Sequence, residues 1–457
     1  MNHVEPQDNP ETGLDRMTLE RPPVDSSRLF HGTPQLKHWA RVFAVASLVH
    51  LTLPDFEQSG WMVPRIIEGL GALLLLWRPG LLGFGLCFIG TLCPLLFLRD
   101  VLTQSMLLTW MSLIGMYGVV RPGKDALGSV TWITAGTYWL AALHKVNTSF
   151  LNPEMSCAHH AWDQVQDHWS WLPQVNLDSE LALGIIFIEI AIGVLLVRRS
   201  PWAWVLGILF HLPLTVTLAP AFGAVMLAGY AASLTPRQIV ILRRFTRRNW
   251  GRWAIAGSTV ATIEGVSLFP DLAIGPIMKC FVAGSLLAGF GALIHERLHV
   301  DWARPDITVW TIFCLWIAHG LTPYVGIQYQ HTAAMLSNLR IDNECHNSLV
   351  FPSSLIISDP YIRIDSAEIG SGQRPKRETI LESGLWSYPA LSTMQENWCI
   401  EELRPIRLEG RFEDRRFLIE DLCAVGWRDA LGGATSLPGF QRFQKNLERR
   451  CDAACVH

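Results

Sequence analysis

Leu181-Ala-Leu-Gly-Ile-Ile-Phe-Ile-Glu189-Ile-Ala-Ile-Gly-Val-Leu-Leu-Val197 holds one ionisable side chain in an otherwise apolar run. About 20 such residues make a helix that can cross a bilayer. An acid inside such a run is costly unless it meets a partner or a cavity, so Glu189 becomes a candidate functional group.

Similar apolar segments lie on both sides, near 39–53, 61–77, 80–98, 101–120, 126–143, 202–218, 219–234, 253–269, 273–294 and 306–323. The chain of 457 residues is 50% hydrophobic and only 17% charged, below the roughly one quarter usual for soluble domains. The charge is unevenly placed: 20 of the 197 residues from His38 to Leu234 are charged, against 33 of the 122 from Leu336 to His457. The fold class expected is therefore an all-α polytopic membrane bundle of about 9–11 transmembrane helices, with a small β-containing C-terminal domain. Residues 1–37 read as a flexible tail, 38–335 as the transmembrane domain and 336–457 as the small domain.

Basic residues set the expected orientation, because they are retained on the cytoplasmic side. With a cytoplasmic N-terminus, one set of connections carries 13 of them, including Arg121, Lys124, Arg198, Arg199 and the run from Arg237 to Arg252. The opposite connections carry only Arg99 and Lys145. The loop 144–180 and the C-terminal domain then face outward. In that domain Leu385–Tyr388, Ile400–Leu408 and Arg416–Val425 read as strands, and Ser366–Arg377 as a flexible loop. A net charge of −3 gives no sign of a nucleic-acid partner. The expected partners are the lipid bilayer and a protein or peptide substrate on the outer face.

Cys157, Cys345, Cys399, Cys423, Cys451 and Cys455 fall on the outer side of this topology. An oxidising compartment permits disulfides among them, in any of 15 pairings. His159, Asp163 and Asp167 share one face of a helix, as divalent-metal ligands can, but a solvated face has the same pattern. No metal is expected. No P-loop, GxGxxG, GxSxG or HExxH motif occurs, which removes support for nucleotide-driven transport and for serine or zinc hydrolysis of those types.

The densest polar cluster ends the fifth apolar segment: Leu143-His144-Lys145-Val-Asn147-Thr-Ser-Phe150-Leu-Asn152-Pro153. Lys145 either snorkels to the interface or serves as a base, since desolvation eases loss of an ammonium proton. His211, in Leu206-Gly-Ile-Leu-Phe210-His211-Leu-Pro213, is either a satisfied core histidine or a functional group facing the bundle interior. Glu68, Glu189 and Glu264 interrupt apolar runs; each is either a buried partner for Lys145 or an arginine or a neutral carboxyl that only packs, and Glu189, the most deeply embedded, is the expected partner of Lys145.

The stretch from Ala142 to Pro153, followed by Ser156-Cys157-Ala158, resembles the HTTM family. This is the membrane domain shared with vitamin K-dependent γ-carboxylases. The run from Leu321 to His331, with Met335-Leu-Ser-Asn338-Leu-Arg340, is also similar, and the likeness covers roughly 38–350. The resemblance implies a membrane enzyme that oxidises a reduced quinone with O2 and uses the strong base produced to drive addition of CO2 to a substrate. It implies Lys145 as the catalytic base and His211 as a residue that stabilises or relays charge, with His144 and Asn147 orienting Lys145. Phe150, Phe210 and Glu189 would contact the quinol. His144, Asn147 and Phe150 stand where the family's motif has Lys, Asp and Trp, and Thr103-Gln104-Ser105 stands where an Asn-His pair is expected. The alternative is a non-catalytic membrane scaffold or partner-binding protein of the same family.

Overall fold

The computed structural model describes residues 33–51, 62–97, 103–168, 179–248, 305–431 and 447–455, short breaks within these stretches apart. The two apolar segments at 253–269 and 273–294, Glu264 and most of the N-terminal tail lie outside the described residues. The other nine apolar segments are helices: α1 Pro34–His50, α2 Met62–Trp77, α3 Leu81–Phe97, α4 Thr103–Val120, α5 Ala126–Lys145, α8 Ser179–Val197, α9 Pro201–Thr217, α10 Pro220–Ala232 and α11 Ile307–Gly320. Between α5 and α8 run the short α6, Thr148–Leu151, and α7, Cys157–His168. Within α8, Glu180–Val197 is long and apolar enough to cross a membrane; it is the only such helix among the described residues. Leu81–Leu96, Gln104–Val120, Pro201–Thr215, Ala221–Ala232 and Ile307–Gly320 are apolar but shorter.

Side chains begin several of these helices. Thr33 accepts from the Leu36 N–H at 3.2 Å, Asp125 from Gly128 at 2.8 Å and Asp306 from Val309 at 2.9 Å. Each satisfies an N–H that the first helical turn leaves without a carbonyl. The helices share one apolar core, centred on Trp39, Phe43, Phe84, Met111, Ile133 and Trp316. Small residues let α2 and α3 come close. A Cβ on Gly71 would lie 2.7 Å from the Cys87 backbone nitrogen and 2.8 Å from the Gly83 carbonyl oxygen.

The C-terminal region holds an antiparallel sheet in the order β4-β3-β1-β2-β5. Its strands are β1 Tyr361–Ile369, β2 Gly384–Ser387, β3 Ile406–Phe412, β4 Arg415–Ile419 and β5 Leu447–Glu448. Helix α12, Pro375–Ser383, packs on β1, and α13 runs from Tyr388 to Ile400. Three boundaries differ from the sequence reading. Ser366–Ile369 belongs to β1 and Pro375 opens α12, so Ser366–Arg377 is not one loop. Ile400 closes a helix, and the third strand starts only at Ile406. The fourth strand stops at Ile419, well short of Val425. The physical reason for the first is a long-range contact: Glu382 and Glu378 of α12 accept from the Ala367 and Ile369 N–H groups, both at 3.0 Å.

The glycine contact makes a paired prediction. Gly71→Val forces α2 and α3 apart and costs about 1–3 kcal/mol, the usual range for overpacking. In α8 a Cβ on Gly184 meets nothing within 4 Å, so Gly184→Ala is neutral or stabilising by up to about 1 kcal/mol. Thermal melting of the two purified variants should move in these opposite senses.

Candidate functional site

Thr137, Ala141 and Lys145 form one stripe along α5, at the spacing that places side chains on one helix face. With α7, α8 and α9 this stripe walls a cavity of about 390 Å³. Phe150, Cys157, Trp162, Ile185, Phe210 and Leu336 line it, together with Glu189. Lys145 Nζ donates to Glu189 Oε1 at 2.9 Å, and the two side chains are each only 6% exposed. Nζ also lies 3.4 Å from the Ala141 carbonyl and 5.9 Å from the centre of the Phe150 ring. Glu189 Oε2 is buried and has no hydrogen-bond partner. The cavity is otherwise almost wholly apolar, so this pair is its only charged feature among the lining residues.

His144 and Asn147 turn away from the cavity. A carbonyl oxygen only accepts, so His144 Nε2 donates to Thr332 at 3.0 Å. Its Nδ1 is then left to accept from the Tyr324 hydroxyl, also at 3.0 Å. Asn147 donates to the His144 and Ser337 carbonyls, both at 2.7 Å, and accepts from the Phe150 N–H at 2.8 Å. It therefore closes α5 and opens α6 at once. Asn347 reaches it at 3.3 Å and meets Ser149 Oγ at 2.9 Å. Asn338 accepts from the Cys157 N–H at 2.6 Å and donates to the Met155 carbonyl at 2.8 Å. These asparagines tie the segment 336–349 to the end of α5. Neither His144 nor Asn147 contacts Lys145 through its side chain; each braces the turn that carries it.

Burial raises the Tyr324 hydroxyl above its ordinary range and pushes Tyr329 up to about 12, so both stay donors at neutral pH. Tyr329 uses its proton on the Leu339 carbonyl at 2.9 Å. Ala333 and Leu336, which line the cavity, have φ of 65° and 51°. Side-chain-bearing residues seldom adopt such values, and local strain of this kind often gathers at working sites.

Phe210 lines the cavity, whereas His211 lies behind it. Its Nε2 bonds the Tyr138 hydroxyl, which in turn bonds Tyr230 at 2.5 Å. His211 Nδ1 is buried without a hydrogen-bond partner. The structure thus joins Lys145, Glu189, Phe150 and Phe210 in one chamber, and sets His211 in a tyrosine-lined layer next to it. Tyr138 and Tyr230 were missed by the sequence reading; as isolated tyrosines in apolar runs they give no motif.

The six cysteines outside the apolar helices pair as Cys157–Cys455, Cys345–Cys451 and Cys399–Cys423. His159, Asp163 and Asp167 lie on α7, and no group of three metal-ligating side chains forms among the described residues. No protein-family model matches the chain, and neither curated proteins nor solved structures give a match.

Breaking one side of a buried ion pair strands the other charge, at a cost of about 3–5 kcal/mol. Lys145→Met and Glu189→Leu should each lower the melting temperature clearly. The double variant Lys145→Met/Glu189→Leu should recover most of the loss, because no charge is then stranded. Melting curves of the three variants beside wild type check this.

Proposed function

We propose that the chain is an integral membrane enzyme of the HTTM and γ-carboxylase type, in which Lys145 is the base for a reduced quinone. The observation that carries this reading is the Lys145–Glu189 pair set in an apolar cavity of about 390 Å³. A lining of Phe150, Phe210, Trp162 and aliphatic side chains suits a flat, greasy ring, and the unpartnered Glu189 Oε2 suits a ring hydroxyl. A hydroquinone supplies reducing equivalents there, with O2 as oxidant and CO2 as the group added to the final acceptor.

The protein's share of the work is proton handling. Glu189 takes a proton from Lys145 Nζ across their 2.9 Å hydrogen bond, which leaves a free amine. That amine would accept the proton of a ring hydroxyl seated beside the pair, with Glu189 left neutral. Asn147 and His144 hold the end of α5 still while this happens. His211, through Tyr138, offers a second proton route beside the chamber.

A bilayer setting is supported by the outer faces of the helices. On α2, Met62, Ile66, Leu70, Leu73 and Trp77 form a single exposed apolar stripe. Phe187 and Ile190 on α8, Leu209 on α9 and Ile307 and Leu315 on α11 are likewise exposed. Contiguous apolar surface of this kind is rare on soluble monomers. In this reading the N-terminus is cytoplasmic, and the disulfide-bonded C-terminal region faces outward, where a peptide or protein acceptor can reach it.

Purified protein in lipid should consume naphthoquinol together with O2, and Lys145→Ala should lose at least roughly 100-fold of that rate, as for removal of a general base. Naphthoquinone should raise the wild-type melting temperature. Inert wild type with no quinone-induced shift would overturn the enzyme reading in favour of a partner-binding scaffold.

A further inference from the structure

From Asn347 to Ser358 the C-terminal region carries no charged residue, although 33 of the 122 residues from Leu336 to His457 are charged. Within that stretch, six of the nine residues in Leu349-Val-Phe-Pro-Ser-Ser-Leu-Ile-Ile357 are apolar. Packing accounts for only part of this. Phe351 lays its ring on Tyr324, with centroids 4.2 Å apart. Leu349, Val350, Leu355 and Ile357 are exposed instead, Ile357 to 77%. Four neighbouring aliphatic side chains on one loop, with no charge among them, mark a surface made to meet something apolar.

The loop's place in the fold says what that is. Helices α5 and α11 run side by side in the same direction, with Gly136 packed against Trp316 and Gly320 against Leu140. The loop is fastened where both of them end. The Leu349 N–H donates to the carbonyl of Val146, the residue that caps α5, at 3.1 Å. The Ile357 N–H donates to the carbonyl of Val325, just past α11, at 3.2 Å. A helix of 20 residues, such as α5, is about 30 Å long, which is the thickness of a bilayer's hydrocarbon core. In a bilayer, the loop therefore lies at the level where acyl chains give way to headgroups.

Its backbone suits that level. The Val350 and Phe351 N–H groups donate to Ser348 Oγ at 3.3 and 3.2 Å. Those of Leu355 and Ile356 donate to the Pro352 and Ser353 carbonyls at 3.2 and 3.0 Å. Pro352 has no N–H to satisfy. Backbone donors already met within the chain can lie against lipid, whereas unmet ones are costly there.

We propose that residues 349–357 dip into the outer leaflet and hold the C-terminal region to the membrane, with Leu349, Val350, Leu355 and Ile357 set among phospholipid acyl chains. This rests on the bilayer setting proposed above and is independent of the quinol chemistry. The anchored loop is also built into the turn that carries Lys145. The Asn347 carbonyl accepts from the Thr148 N–H at 3.1 Å, and Tyr324, under Phe351, donates to His144 at 3.0 Å.

The test is photo-crosslinking of the full-length protein in phosphatidylcholine nanodiscs. Benzoylphenylalanine replaces Leu355, Ile357 or Leu70 one at a time, melting temperatures are checked against wild type, and adducts are read by mass spectrometry. Leu70, on the exposed stripe of α2, reports the bilayer setting itself. Phospholipid adducts should form at Leu355 and Ile357 in yields comparable with that at Leu70. A lipid adduct at Leu70 with none at Leu355 or Ile357 overturns the inference and leaves the bilayer setting standing. Crosslinks from Leu355 and Ile357 to a second copy of the chain, in place of lipid, overturn it as well. Absence of lipid adducts at all three positions removes the bilayer setting, and the inference with it.

Discussion

An ammonium and a carboxylate 2.9 Å apart, walled by aliphatic and aromatic side chains, set the terms for the helical part of this molecule. Neither charge is tolerable there alone. Lys145 must therefore sit where α8 presents Glu189, which fixes the pairing of α5 with α8 and the height of each helix against the other. The helix end that carries Lys145 also has backbone groups to satisfy. Asn147 meets that need by bonding the His144 and Ser337 carbonyls and capping α6, so the turn is rigid just where the lysine leaves the helix.

The same turn explains why the segment after α11 is bound so tightly. The Thr332 carbonyl accepts from His144 Nε2, while Asn338 and Asn347 lace Cys157, Met155 and Ser149 to it. The Cys157–Cys455 bond then joins the cavity wall to the end of the C-terminal region. Ala333 and Leu336 keep left-handed backbone inside this web, which is tenable only because the hydrogen bonds on either side hold it. Binding surface and support are thus separate: apolar side chains face the cavity, and polar ones work behind it.

Much of this was legible in the sequence, and the losses have a common cause. The nine apolar helices among the described residues follow from apolar run length, a local property. Lys145 and Glu189 were visible because an ionisable group in an apolar run stands out by itself. Glu189 was also the expected buried partner of Lys145, and the two meet at 2.9 Å although 44 residues separate them. Adjacency in sequence could not show how His144 and Asn147 relate to Lys145: successive residues at a helix end point in different directions, and these two brace the turn from behind the cavity. The disulfide pairing and the limits of β1 and β3 depend on contacts between distant segments, such as Glu378 and Glu382 on β1, which no local pattern reports. His50 has no signature in the sequence, since a single histidine at a helix end shows its partners, here Glu68 and Ser105, only once the bundle closes, and Ser105 was visible only as a departure from an expected Asn-His pair.

Two buried glutamates now stand in contrast, and their hydrogen bonds separate their uses. Both Glu68 oxygens lie 3.2 Å from one imidazole nitrogen of His50, and the carboxylate also acts on the nearby Arg65, so its charge is balanced from within the bundle. Glu189 gives one oxygen to Lys145 and leaves the other buried and unmet. An unsatisfied carboxylate oxygen costs free energy that a closed structural pair would avoid. A pair selected only to hold α5 against α8 has no need of a cavity at its side or of an open acceptor. Here both are present on the same acid, which is what the proposed hydroxyl-bearing ligand would use.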